Sequence, residues 1–139
     1  MRVPTPLDRK TLPGYSTLEF AGVLVLVLTL IVGLMQVVVY VHARDVVKAA
    51  VQEGVRVASS EGRTTKDGAA QARALLEAGL GRSGERFRVV GIDEEDRVVM
   101  RARGSFPFSL PGVSASIPLA IETSMEKEQF EPYHGESSP

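Results

Sequence analysis

A single carboxylate, Glu19, stands at the mouth of a long apolar run and is followed directly by Phe20. An acidic side chain entering a bilayer is costly and usually has a partner. The residues ahead of it offer a way to make one. They read Pro13-Gly14-Tyr15-Ser16-Thr17-Leu18-Glu19-Phe20. Hydrolysis of the peptide bond after Gly14 would leave Tyr15 as a new N-terminus. Its ammonium would lie four residues from Glu19, the spacing at which helical side chains are neighbours. That cation would neutralise Glu19 within the chain, or the Glu19 of an adjacent copy shifted along a stack of helices. The plainer alternative is an interfacial carboxylate favoured near a helix N-terminus by the helix dipole, with no cleavage at all.

Little else in the chain suggests chemistry. There is no Cys, which excludes disulfides, thiolate metal sites and cysteine nucleophiles. The two His, His42 and His134, are far apart in sequence. No phosphate-binding loop and no paired carboxylates in an evident cleft are present, and Ser16 and Thr17 have no base beside them. The run Asp93-Glu94-Glu95-Asp96 lacks the alternating carboxylates and central Gly of a calcium loop. The expectation is a non-enzyme without cofactor or metal. With 16 basic against 17 acidic residues the net charge is −1, which argues against nucleic acid as a partner. The arginines at 82, 86, 88, 97, 101 and 103 are interleaved with acids and read as a solvated sheet face.

The element that must carry Glu19 is plain. Residues 20–41 contain no charge, and only Thr29 and Gln36 add polarity. As a helix this stretch rises about 33 Å, enough for the hydrocarbon core. A helix also satisfies its own backbone in lipid, which an isolated strand pair does not. Thr29 is expected to return its hydroxyl to the preceding turn, and Gln36 to pack against a neighbouring helix or sit near the membrane interface. Arg2, Arg9 and Lys10 precede the span, with Asp8 the lone acid among them. The positive-inside rule then favours the N-terminal tail in the cytoplasm and the C-terminal domain outside it.

Gly14, four residues, Glu19-Phe20 and some twenty apolar residues together resemble the class III signal of type IV prepilins. The short basic leader is similar to that of the Tad/Flp branch. The chain is longer than a major Flp pilin and resembles the TadE-like pseudopilins. In that family a single N-terminal helix is followed by a small extracytoplasmic domain. Ala49-Ala50-Val51-Gln52-Glu53-Gly54-Val55-Arg56-Val57-Ala58, the Phe-x-Phe-x-Leu-Pro segment at 106–111 and Ile117-Pro118-Leu119 are similar to further parts of it. The resemblance implies cleavage between Gly14 and Tyr15 by prepilin peptidase, with Glu19-Phe20 as the recognition motif. It also implies other pilins or pseudopilins and inner-membrane platform proteins as partners, and a role in filament priming or assembly. The alternatives are an unprocessed single-pass anchored binding module and a pseudopilin of a type II secretion or competence machine.

The remaining pattern gives an α+β fold. Val47, Ala50, Val51, Gly54 and Ala58 recur at three- and four-residue steps, so the helix continues beyond the span as an amphipathic one to Ser59. Ser60-Glu61-Gly62-Arg63 reads as a turn. Thr64 with Asp67 resembles a capping pair for a second, shorter helix, whose apolar face is Ala69, Ala72, Leu75, Leu76 and Leu80 and which Gly79 and Gly81 end. From 85 the period is two, which predicts an antiparallel sheet of about three strands. Residues 106–112 read as a proline-rich connection, and a third strand as 115–126, with Ile117, Leu119, Ile121, Thr123 and Met125 on one face. Pro118 suggests an edge strand or the start of a strand. The expected organisation is a cleaved leader (1–14), a pilin-like helix (15–60, span about 20–41), a small domain (61–130) and a flexible tail (131–139).

Overall fold

The computed structural model describes residues 15–110 and 112–127; the expected leader with Gly14, and the tail, lie outside them. Helix α1 runs without interruption over Tyr15–Ser59, 45 residues, or about 67 Å. Its apolar part is rich in Val and Leu but holds no proline, and the Thr29 hydroxyl donates to the Val25 carbonyl at 2.8 Å as expected. The chain reverses through Gly62, whose φ of 73° suits a residue without Cβ. Helix α2 follows over Thr65–Leu80. Thr64 and Asp67 form the expected capping box: the Asp67 amide donates to the Thr64 hydroxyl, and the Thr64 amide donates to the Asp67 carboxylate. The helix stops at Gly81, with φ 55°, and a short 3-10 turn over Gly81–Arg86 leads into the sheet.

Three strands, β1 (Arg88–Asp93), β2 (Arg97–Leu110) and β3 (Val113–Glu126), pair antiparallel in chain order. The register sets Val89 opposite Ala102, and Ala102 opposite Ile121. Strand side chains alternate between faces. One face of the sheet therefore carries Val89, Val98, Met100, Ala102, Leu119 and Ile121. It packs on α2 and the second half of α1, and the core is shared with Val47, Val51, Val55, Ala72 and Leu76. Ile117, Leu119, Ile121, Thr123 and Met125 share this face as expected, though Met125 sits at the exposed rim. The other face carries Arg88, Arg101 and Arg103 together with Glu122 and Glu126, and Arg101 pairs with Glu122 across the strands.

The helices meet through glycine. A Cβ at Gly54 would lie 2.8 Å from the Gly68 carbonyl oxygen and 2.9 Å from the Ala72 Cβ, and one at Gly68 would run into the Gly54 carbonyl. Gly54 thus marks a close approach of α1 and α2, not a bend.

One expectation is corrected. Residues 106–110 are not a connection but the last five residues of β2, and β3 begins at Val113, two residues earlier than expected. The paired ladder runs from Arg97 with Glu126 to Leu110 with Val113. Pro107 is admitted because β2 has passed the end of β1 there and has one open side. Pro118 lies on β3, which is an edge strand, as its presence suggested.

Candidate functional site

The first half of α1 is the exposed feature on which the site residues sit. Residues 16–32 are exposed without exception, including Leu18 and Phe20 at 74% and 68%. Among the described residues, α1 is the one helix long and apolar enough to cross a membrane. Glu19 is exposed near its N-terminal end, one helical turn beyond Tyr15, so the backbone nitrogen of Tyr15 and Glu19 fall about 6 Å apart along the axis. Phe20 follows on the next step of the helix, turned about 100° from Glu19. Gly14 lies outside the described residues, so the structure brings together Tyr15, Glu19 and Phe20 on one helix and leaves the expected scissile bond at its edge.

A second feature escaped sequence reasoning. The β2–β3 hairpin overhangs β1 and reaches back along α1. There the Gln36 carboxamide donates to the Ser109 carbonyl and accepts from the Ser109 amide at 3.2 Å. Tyr40 meets Phe106 edge to face, with ring centroids 6.4 Å apart. Gly33 lies beneath Leu110, whose Cδ2 would be 3.9 Å from a Cβ placed there. Gln36 was expected to face a neighbouring helix or sit near the membrane interface; its hydrogen-bond partner is the hairpin of its own chain. The reason is geometric. A long polar side chain on an apolar helix takes the nearest unpaired backbone groups, and the hairpin tip supplies them.

The signal for this contact is present in the sequence. Gly33, Gln36, Tyr40, Ala43, Val47, Ala50 and Gly54 recur at steps of three and four, and each is buried or half-buried. The expected amphipathic stripe was started at Val47, whereas the covered stripe starts four turns earlier, inside the apolar run. Gly, Gln and Tyr interrupt a Val/Leu background at the right phase to reveal it.

The basic residues are not gathered on one sheet face as expected: Arg82 and Arg86 lie on the 3-10 turn, where they line a shallow open cavity with Glu85. Arg97 pairs with Glu94, Arg101 with Glu122, and Arg73 donates to the Val89 carbonyl at 3.0 Å, closing the open edge of β1. Among the described residues no group of three or more metal-binding side chains occurs.

The stretch that carries Tyr15, Glu19 and Phe20, continues through the apolar span and ends in the packed stripe is also the stretch that is similar to a known family. Residues 14–56 match the family described as TadE-like protein. The TadE-like match begins at Gly14 and ends at Arg56, so it covers about a third of the chain and nearly all of α1. The α2 helix and the sheet lie beyond it. No curated protein and no solved structure matches the chain. The matched segment and the observed helix agree with the resemblance drawn from the motif.

Proposed function

We propose that the chain is a minor pilin or pseudopilin of a Tad-type pilus or secretion system, cleaved after Gly14 by prepilin peptidase and acting in filament priming or assembly. The observation that carries this is the division of α1. One unbroken 45-residue helix is exposed and apolar over its first half and packed into a small α+β head over its second. Such a helix has two uses. The span holds the subunit in the inner membrane, with its N-terminus cytoplasmic and the head outside. Drawn into a filament, it exchanges lipid contacts for the spans of other subunits. The TadE-like match supports a pilus-associated, structural protein over a catalyst.

Processing changes the electrostatics of that exchange. Removal of residues 1–14 takes away Arg2, Arg9, Lys10 and Asp8 and leaves 13 basic and 16 acidic side chains. A cation drawn to the bilayer centre costs on the order of 3 kcal/mol. Without the basic leader the helix can leave the membrane without that barrier. The new amine at Tyr15 then pairs with Glu19 of the same or the adjoining subunit. Prepilin peptidase, partner pilins and platform proteins are the interactions this reading requires.

The test is intact mass and N-terminal sequencing of the protein recovered from native membranes. A chain beginning at Tyr15 is expected. A chain still beginning at Met1 in cells with active prepilin peptidase would overturn the proposal in favour of an unprocessed anchored binding module.

A further inference from the structure

The overhanging hairpin is a second place where the head meets the membrane. Its position follows from the Gln36–Ser109 contact. Gln36 is five residues inside the outer end of the uncharged run, about 7.5 Å along the helix from Val41, and Gly33, under Leu110, is about 12 Å inside. Whatever layer surrounds Gln36 therefore also surrounds Ser109.

The composition of the hairpin agrees with that placement independently. Residues 104–121 contain no charge, whereas the rest of the hairpin is dense in it, with Arg97, Arg101, Arg103, Glu122 and Glu126. The change falls where β2 passes the end of β1: Arg103 faces Arg88, the first residue of β1, and Gly104 has no β1 partner. The helix loses its charges at the same level, since Arg44 is the first charge after the span. Phe106, Phe108 and Leu110 fall on the helix-facing side with Val113, which is 58% exposed. Ser105, Ser109, Ser114 and Ser116 fall on the other, with Pro107 and Pro118 among them. A small hydroxylated face with open strand edges suits the outer part of the leaflet, where water still reaches the backbone, better than the hydrocarbon centre.

We propose that the tip of the β2–β3 hairpin inserts into the leaflet on the head's side, with Ser109 below the headgroup layer and Val113 directed to the acyl chains. The occupant of the surface around it is lipid. This rests on the membrane-anchored reading of α1, and the experiment separates the two. The chain has no Trp, so an introduced one reports its own position alone. Full-length Leu30→Trp, Val113→Trp and Ser124→Trp variants are reconstituted separately in phosphatidylcholine vesicles with acyl chains brominated at shallow or deep positions. Leu30 lies mid-span, and Ser124 is exposed on the charged half of the hairpin.

The expected result is that Val113→Trp emits to the blue and loses most of its fluorescence to shallow bromines, Leu30→Trp to deep ones, and Ser124→Trp to neither. Quenching of Leu30→Trp with red, unquenched emission from Val113→Trp would overturn the hairpin inference and leave the anchor intact. Blue but unquenched emission from Val113→Trp would also overturn it, by showing that a second copy and not lipid covers the tip. Absence of quenching at Leu30→Trp would remove the anchor and this inference together.

Discussion

The side chain of Gln36 holds both backbone groups of Ser109, 73 positions away in the chain, and so ties the tip of the hairpin to the outer part of the apolar helix. Beyond β1 the hairpin is a two-stranded ribbon, a structure marginal on its own. Its order at the tip is supported by Gln36, Tyr40 and the seat at Gly33.

Replacing Gln36 by Leu keeps the helix apolar and removes both bonds. The expected loss is about 1–2 kcal/mol, local to the tip. Backbone hydrogen exchange at Ser109 should accelerate about tenfold, while exchange at Met100 in the core is unchanged. Equal protection of Ser109 in both proteins would show that the carboxamide does not hold the tip.

The glycine crossing gives a prediction of opposite sign to helix propensity. Alanine is favoured over glycine inside a helix by about 1 kcal/mol. At Gly68 the added methyl meets the Gly54 carbonyl, and forced overpacking costs about 1–3 kcal/mol. Gly68→Ala should therefore lower the stability of the head to denaturant. Gly22→Ala, where nothing lies within 4 Å, should leave it unchanged. A stabilised Gly68→Ala protein would contradict the close crossing.

Thr64 closes the start of α2, and Thr64→Ala is expected to cost about 1 kcal/mol. The cap also sets a pH dependence. The Thr64 amide and hydroxyl, in that order, hold the Asp67 carboxyl below its ordinary value. A carboxylate whose pKa is lower when folded favours the fold once it is ionised in the unfolded chain, above about pH 4. That contribution is lost as pH falls through the folded value. The head should melt at lower temperature at pH 2–3 than at pH 6, and Asp67→Asn should flatten that part of the curve. Its exposure keeps the effect small.

Gly14→Ala should slow or block removal of the leader, read as a mass shift of the membrane protein. Glu19→Ala should leave the protein in the membrane yet impair its incorporation into filaments. Efficient incorporation of Glu19→Ala would refute pairing with the Tyr15 amine.

Most of the architecture was legible because it rests on local patterns. The uncharged run, the three-and-four spacing from Val47, the Thr64–Asp67 pair and the alternation after 85 each specify an element from neighbouring residues alone. The hairpin tip was not legible in the same way. Pro107 and Pro111 suggest a break when read singly, and the strand through Pro107 becomes acceptable only because β1 ends at its other side. The Gln36–Ser109 contact joins residues that no short window contains together. For the site, Glu19 and Phe20 stand out by chemistry and spacing, whereas the burial of Gly33, Gln36 and Tyr40 is visible only once the head supplies the surface that covers them.

The absence of any break in α1 between Glu19 and Ser59 makes the head a fixed handle on a torsional shaft. Each residue of an α-helix advances it about 1.5 Å and turns it about 100°. The azimuth of the head about the helix axis is thereby locked to that of Glu19. In an array of parallel spans, the heads must repeat with the same angular step as the carboxylates at their feet. A single residue inserted near Thr29 would raise the head by barely an ångström and a half, yet swing it through more than a quarter turn. The chain thus encodes a phase as well as a length.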